Sequence, residues 1–320
     1  MRKMRNWFNR KNIVSLLGIL LLYAVIQGLI VFDIMPPFYK LTLIQICIYI
    51  ILATSLNLIN GITGQFSIGH AGFMAIGAYI SAIITAIQHG PLFLGLIAGA
   101  VAAALAGFLV GLPTLRLKGD YLAIATLGFG EIVRIIFLNT DYVGGAAGFT
   151  LPSTITWTWA FGLMAVSVVL MKNFVGSTHG RACISIRENE IAAESMGVNT
   201  TKYKVIAFTM GAFFAGLAGG IYANYFYIIQ PMTFNFLLSF NILVMIVLGG
   251  LGSMTGGIIG AIVMTLASAL LAGVPEWRNV ITAVLLVLMM IFRPTGIMGT
   301  KEFTLNFLGK KSEKNAASKN

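Results

Sequence analysis

Long apolar runs separated by short polar interruptions dominate the chain. A helix that spans a membrane needs about 20 mostly apolar residues, because lipid offers its backbone no hydrogen-bonding partner. Ten runs meet or approach this length, and the sixth, eighth and tenth are the shortest. The pattern predicts an all-α polytopic membrane protein with about ten transmembrane helices, within a range of 8–11. The predicted spans are 13–32, 41–59, 68–87, 92–112, 121–138, 158–171, 205–229, 238–251, 256–272 and 279–292.

The basic residues are placed unevenly along this pattern. With ten crossings and a cytoplasmic N-terminus, 18 of the 21 Lys and Arg residues lie on the cytoplasmic side. Lys40 and Arg278 lie outside, and Arg134 falls within a helix. Because cytoplasmic loops are enriched in Lys and Arg, we expect both termini to be cytoplasmic. The first run is too long for a signal peptide and lacks a small-residue cleavage site, so it is predicted to be a retained anchor.

The same pattern divides the chain into three parts. A basic cytoplasmic N-terminus over 1–12 precedes one transmembrane domain over 13–293, and a basic cytoplasmic tail over 294–320 follows it. The longest hydrophilic stretch inside the domain is a loop at about 172–204. We therefore expect a multi-pass protein of the plasma or inner membrane.

Composition supports the membrane setting. The residues are 58% hydrophobic and only 10% charged, and the mean hydropathy is +0.90, whereas an average soluble domain is about a quarter charged. The net charge of +11 would suit a nucleic-acid partner only if the basic side chains formed one folded patch. Most of them instead flank the first and last apolar runs. We therefore expect no nucleic-acid partner, and we expect the basic residues to contact anionic membrane lipids.

Two glycine-rich interruptions share the pattern G-x-x-G-x-x-[ST]-x-G. Irregular backbone at membrane depth is tolerated where it is buried in protein or lines a cavity, as it does around the substrate of transporters. Coincidence in a glycine-rich chain is the alternative, and no internal repeat is predicted. The candidate pathway or helix-break residues are Gly61, Gly64, Gln65, Ser67, Gly69, His70, Gly249, Gly252 and Gly257. For other glycines in apolar runs, such as those in 211–220, we expect close helix packing.

Two charged residues lie inside the fifth run. Glu131 and Arg134 are three residues apart, so they share one face of a helix and can pair. Charge within a membrane is costly and marks a functional position by default. Two interpretations stay open: an ion pair that stabilises the bundle, or a contribution to a pathway or gate.

The chain carries no sequence pattern of an enzyme. Its three histidines have no metal-ligand spacing, and no G-x-x-x-x-G-K-[ST] loop for ATP is present. We therefore expect no catalytic residue, no metal and no cofactor bound by this chain. Any ATP would have to be used by a partner.

The hydrophilic loop contains a segment suited to docking. Residues 187–196 are good helix formers, and Gly197 is expected to end the helix, because glycine readily adopts positive φ at a C-terminal stop. Paired alanines permit close approach of another protein, and flanking charges can steer that contact. An ordinary solvated helix is the alternative. The candidate coupling residues are Arg187, Glu188, Glu190, Ala192, Ala193, Glu194 and Gly197.

Three segments together resemble a known family. Residues 56–79, 112–134 and 181–197 are similar to permease subunits of ATP-binding-cassette importers for branched-chain amino acids, of the LivM type. In such importers a cytoplasmic coupling helix with the pattern E-A-A-x-x-x-G contacts the ATPase. Ala192, Ala193 and Gly197 match that pattern, whereas Ile191 occupies the position of the Glu and the downstream I-x-L-P is absent.

The resemblance implies a mechanism and a set of partners. An extracytoplasmic binding protein would deliver leucine, isoleucine or valine to a pore between this chain and a homologous second permease. Two attached ATPase subunits would use ATP to switch the pore between its outward-facing and inward-facing states. Two alternatives remain: a urea or short-chain amide importer, whose permeases share these motifs, and an ion-coupled carrier, which would need more intramembrane acids.

Overall fold

The computed structural model describes residues 10–33, 35–115, 117, 119–273, 280–281, 283–284, 287, 291–293 and 295–299. Within these residues the chain folds almost entirely into helices. The α-helices are α1 (Arg10–Val31), α2 (Pro37–Asn57), α3 (His70–Ala82), α4 (Leu92–Thr114), α5 (Asp120–Leu138), α6 (Trp157–Gly176), α7 (Thr178–Glu188), α8 (Glu190–Ser195), α9 (Thr200–Tyr225), α10 (Phe236–Gly249) and α11 (Met254–Leu270). One π-helical turn extends α2 over Leu58–Ile62, and another extends α3 over Ile83–Ile87.

The first nine predicted runs each correspond to one of these helices. Seven helices in the described part of the chain are long and apolar enough to cross a bilayer: α2 to α6, α9 and α11, with their extensions. The eighth run forms α10, which has only 14 residues. The tenth run is described only in part, at 280–281, 283–284, 287 and 291–292, whereas the N-terminal residues 1–9 and most of the tail lie outside the described residues.

Two predicted boundaries are wrong. The seventh run was expected to be helical through residue 229, but α9 ends at Tyr225 and Ile228–Ile229 forms a short strand, β2. This strand pairs antiparallel with β1, Phe149–Thr150. Apolar residues suit a buried strand as well as a helix, so hydropathy alone does not separate the two. The sixth helix continues past 171 to Gly176, because polar residues end an apolar run without ending its helix.

Small residues bring α3, α4 and α9 together. A Cβ atom on Gly77 would lie 2.1 Å from the carbonyl oxygen of Gly216, and one on Gly216 would lie 2.4 Å from Cβ of Ala103. A Cβ atom on Gly219 would lie 2.0 Å from the carbonyl oxygen of Met74. The predicted packing role of the glycines in 211–220 is confirmed at these positions, where backbones approach too closely for any side chain.

Both glycine-rich interruptions lie at one end of the bundle. The extension of α2 ends there at Ile62, and α11 begins there at Met254. The turn between α10 and α11 contacts the end of α2 through Gly61 and Gly252. We name this end the break end. The opposite end carries the ion pair of Asp33 and Lys40, whose Nζ lies 2.7 Å from the carboxylate.

Candidate functional site

The first break interrupts the chain between α2 and α3. Residues 63–69 are not helical, and α3 begins at His70, two residues after the start of the predicted span. Asn60 closes this loop, since its Nδ2 donates to the carbonyl oxygen of Ser67 (3.1 Å) and its Oδ1 accepts from the Ser67 amide (3.2 Å). Gly64 has a φ of +73°, which favours glycine. The break is therefore a closed loop with a defined shape.

The second break packs directly on the first. Asn57, near the end of α2, accepts a hydrogen bond from the Gly252 amide (2.9 Å) and donates one to the carbonyl oxygen of Ser253 (2.7 Å). A Cβ atom on Gly61 would lie 2.0 Å from Asn57 Oδ1 and 2.3 Å from the Gly252 nitrogen. The two similar motifs thus meet as one junction, and the absence of a side chain at Gly61 permits the contact.

Further glycines of the second motif serve the α10–α11 turn. A Cβ atom on Gly249 would lie 2.0 Å from the carbonyl oxygen of Gly256, so α10 and α11 cross in backbone contact there. At Gly257 a Cβ atom would lie 3.7 Å from Asn57 Nδ2, an ordinary contact distance. In the first motif, Gly69 packs on α5, since its Cβ atom would lie 2.1 Å from the carbonyl oxygen of Thr126.

Arg187 connects the hydrophilic loop to this junction. Its Nη1 donates to the carbonyl oxygen of Gly61 (2.9 Å), and its Nη2 donates to Oε1 of Glu188 (2.6 Å). A Cβ atom on Gly64 would lie 3.0 Å from Arg187 Cγ, and one on Gly252 would lie 2.6 Å from its Nη1. The sequence placed Arg187 among the coupling residues. In the structure its side chain reaches inward and occupies the space left by the missing side chains of Gly64 and Gly252.

The single helix expected over 187–196 is wrong. The structure has α7 ending at Glu188 and α8 beginning at Glu190, with Asn189 between them in an extended conformation. Asn189 Oδ1 accepts from the Ala192 amide (3.0 Å), so the preference of Asn for the N-cap position overrides the helix-forming tendency of its neighbours. The segment is consequently jointed one residue after the Arg187–Glu188 pair.

Gly197 ends α8 as the sequence predicted. Its φ is +82°, and its amide donates to the carbonyl oxygen of Glu194 (2.9 Å) while the Val198 amide donates to that of Ala193 (3.0 Å). This pair of hydrogen bonds is the Schellman arrangement, which satisfies the last carbonyl groups of a helix. The end of α8 is therefore well defined.

Two large apolar side chains are exposed on the outer face of α8 and its C-cap, beside the exposed Glu194. Ile191 is 76% exposed and Met196 83% exposed, and Ala192 lies exposed on the same helix. Ala193 is only 6% exposed, so it packs inward. Large apolar side chains on a polar loop mark an interaction site. Sequence reasoning did not identify Ile191 and Met196 as exposed contact residues. The isoleucine at the position where the family pattern has Glu was the signal that could have indicated this for Ile191.

The charged residues around α8 divide into two groups. Glu190 is paired with Lys204 of α9 at 2.5 Å, which ties the start of α8 to the bundle. Glu188 and Glu194 are exposed. Only the second group is placed to face an approaching protein.

The remaining polar residues of the first break are buried. His70 donates to or accepts from Ser55, with 2.8 Å between Nε2 and Oγ. The amide of Gln65 and the hydroxyl of Ser67 are buried and have no hydrogen-bond partner among the described residues. These side chains therefore lie inside the protein rather than on an exposed surface.

Glu131 and Arg134 form the ion pair that their spacing allows. Arg134 Nε lies 2.7 Å from Glu131 Oε2, and the two side chains are 19% and 31% exposed respectively. The other carboxylate oxygen accepts from the Phe236 amide at the start of α10 (3.2 Å). Arg134 Nη1 contacts the sulfur of Met232 at 3.3 Å. The pair thus joins α5 to the segment that enters α10.

This architecture is that of a polytopic membrane protein. Helices that cross a bilayer are interrupted where polar groups collect, and a jointed loop with two exposed apolar side chains meets those interruptions. Within the part of the chain that the structure describes, no group of three or more His, Cys, Asp or Glu residues could hold a metal ion.

Comparison with known proteins identifies the family. The chain belongs to the family described as "Branched-chain amino acid transport system / permease component", which matches residues 39–292. It is 38% identical to the high-affinity branched-chain amino acid transport system permease protein LivM of Salmonella typhimurium and of Escherichia coli, over 78% of this chain and 68% of each relative. It is 27% identical to LivH of E. coli, a permease protein of a transport system described in the same words, over 79% of this chain and 92% of the relative.

Family membership and the apolar helices establish three general properties. The chain is a multi-pass protein of the inner membrane, its class is amino-acid transport, and its homologues are transport permeases, which are not enzymes themselves.

Proposed function

We propose that this chain is a permease subunit of an ATP-driven importer for leucine, isoleucine and valine. The observation that carries the proposal is its 38% identity to LivM over most of the chain. The same organism, E. coli, has both a LivM and a LivH permease, and the chain is more similar to LivM. A LivH-like chain is therefore its proposed partner, and the translocation pathway would run between the two subunits.

The proposed topology has ten transmembrane helices and both termini in the cytoplasm. The break end would face the cytoplasm, because it carries the loop with most of the internal basic residues, whereas Lys40 lies at the opposite end. This assignment follows the enrichment of Lys and Arg in cytoplasmic loops. The opposite end would then receive the solute from an extracytoplasmic binding protein.

The coupling mechanism is proposed from the contacts of the loop. Two ATPase subunits, which would use the ATP, are proposed to serve the permease pair, with one of them docking on the outer face of α8. Movement of α8 about Asn189 would pull on Arg187, which is two residues earlier in the chain. Because Arg187 donates to the carbonyl oxygen of Gly61 and lies against Gly252, the displacement would reach both breaks together.

Uptake by the complete importer tests the proposed function. The two permeases, the ATPases and the binding protein are placed in proteoliposomes, and uptake of radiolabelled leucine is measured with and without ATP. We expect uptake only with ATP and the ATPases. Uptake by this chain alone without nucleotide would indicate an ion-coupled carrier, and ATP-driven uptake of urea but not leucine would indicate an amide importer. Either result would reject the proposal.

Replacing Arg187 with glutamine is expected to uncouple ATP hydrolysis from transport. The variant loses a charged hydrogen bond worth about 1.5–3 kcal/mol, so leucine uptake should fall about tenfold or more. ATPase subunits should still co-purify and hydrolyse ATP, because the outer face of α8 is unchanged. Arg181→Gln is the matched control, since Arg181 is an exposed arginine on the same helix, α7. Loss of the ATPases from the Arg187 variant would show that Arg187 acts in docking instead.

A further inference from the structure

The segment before α10 enters the bundle at membrane depth. Glu131 is the twelfth residue of the 19-residue α5, so it lies about 17 Å along a helix of about 27 Å. Its carboxylate contacts the Phe236 amide, which places the start of α10 at the same depth. Residues 226–235, which include β2 and a 3-10 helix over Pro231–Phe234, therefore bring backbone without α-helical hydrogen bonding into the span, where it must be buried in protein or line a cavity.

The face around this point differs from the surfaces suited to lipid. Each exposed residue of α4 is apolar, as expected of a helix in contact with acyl chains. On α5 the partly exposed pair of Glu131 and Arg134 lies among the exposed side chains of Ile132, Ile135 and Phe236. A charged pair that is partly exposed to hydrocarbon would be costly. This face is accordingly directed towards a water-containing or protein-lined space.

The contacts of Arg134 and Glu131 would allow both charged groups to bind another molecule. Arg134 uses Nε for Glu131 and Nη1 for the sulfur of Met232, and a thioether is a weak acceptor that a carboxylate readily replaces. One carboxylate oxygen of Glu131 accepts a hydrogen bond from Arg134, and the other accepts one from the Phe236 amide. The pair has no net charge, which matches a zwitterion and neither a free cation nor a free anion.

We propose that Glu131 and Arg134 form a transient binding site for the zwitterionic head of an aliphatic α-amino acid. Arg134 would bind its carboxylate and Glu131 its ammonium group, while its side chain contacts Ile135 and Phe236. The proposal rests on the proposed function and adds the substrate contact to it. Urea, which carries no charge, could hydrogen-bond to these side chains but could form no ion pair with them.

A double-mutant cycle in the complete importer separates this site from a structural ion pair. Glu131→Gln, Arg134→Gln and the double variant are reconstituted in proteoliposomes, and ATP-driven leucine uptake is measured. We expect each variant, including the double one, to lose about tenfold or more of the uptake, because a charged hydrogen bond to substrate is worth about 1.5–3 kcal/mol. A structural pair would instead be restored in the double variant, whose amides can pair with each other.

The controls distinguish failure of this site from failure of the proposed function. Asp33→Asn with Lys40→Gln removes a different ion pair of the same 2.7 Å length and should leave uptake unchanged. Normal uptake by the Glu131 and Arg134 variants, or recovery in the double variant, would overturn the site alone. Absence of leucine uptake by the wild-type importer would overturn the proposed function itself.

Ligand protection provides a readout that does not depend on transport by the variants. Ile135→Cys is labelled with a small methanethiosulfonate in the assembled importer, whose own Cys47 and Cys183 in this chain are buried. Leucine should slow labelling about threefold or more, whereas isoamylamine and 4-methylpentanoate, which each carry one of its two charges, should not. Tyr121→Cys, at an exposed position at the start of the same helix, about 21 Å from residue 135, is the control and should be labelled without protection. Equal protection by the analogues, or none by leucine, would overturn the proposal.

Discussion

Replacing Gly61 with alanine is expected to abolish leucine uptake and to destabilise the permease. The new Cβ atom would lie 2.0 Å from Asn57 Oδ1 and 2.3 Å from the Gly252 backbone nitrogen. One obstacle is a side chain that is itself held by hydrogen bonds to the second break, and the other is backbone. Overpacking of this kind costs about 1–3 kcal/mol or more, so thermal unfolding in detergent should begin about 5 °C lower.

Two further variants show whether the break junction is the cause. Gly162→Ala on α6 is the matched control, because its Cβ atom would have no neighbour within 4 Å and alanine favours a helix. Adding Asn57→Ala to Gly61→Ala should not restore the protein, since the Gly252 nitrogen remains in the way. Wild-type uptake and unfolding temperature in Gly61→Ala would contradict the close contact between the two breaks.

Replacing Ile191 and Met196 together with glutamate is expected to release the ATPase subunits from the complex. Each of these exposed side chains would contribute about 1.5–3 kcal/mol on burial in an interface, and each introduced charge would add a desolvation cost. The affinity of the permease for the ATPases should therefore fall about a hundredfold or more. Co-purification of the ATPases through a tag on the permease measures this, and assembly of the two permeases should be unaffected.

Exposed and buried positions on α8 have different expected outcomes. Ala192→Glu should also weaken docking, because Ala192 is exposed, whereas Ala193→Glu should lower the unfolding temperature, because Ala193 packs inward. Tyr142→Glu is the control: it places the same charge at an exposed aromatic residue near the opposite end and should retain the ATPases. Full retention of the ATPases by the Ile191 and Met196 double variant would contradict the docking surface.

The sequence predicted local structure correctly where residues close together in the chain determine that structure. Nine of the ten apolar runs correspond to helices that the structure describes, because a membrane admits few other structures. The stop at Gly197 follows from the freedom of glycine at positive φ. Two of the incorrect predictions have the same origin: Asn189 favours a cap and Ile228–Ile229 forms a strand, yet both lie in stretches whose average character is helical.

The sequence by itself determined the membrane class, the positions of the spanning helices and the pairing of Glu131 with Arg134, since each depends on residues close together in the chain. Only the tertiary structure decided that the two breaks meet through Asn57 and that Arg187 joins them. These contacts link residues 196 and 126 positions apart. Hydrophobic periodicity shows which face of a helix is buried, but the partner of that face is chosen by packing, where a missing side chain at Gly61 or Gly252 admits one neighbour and excludes others.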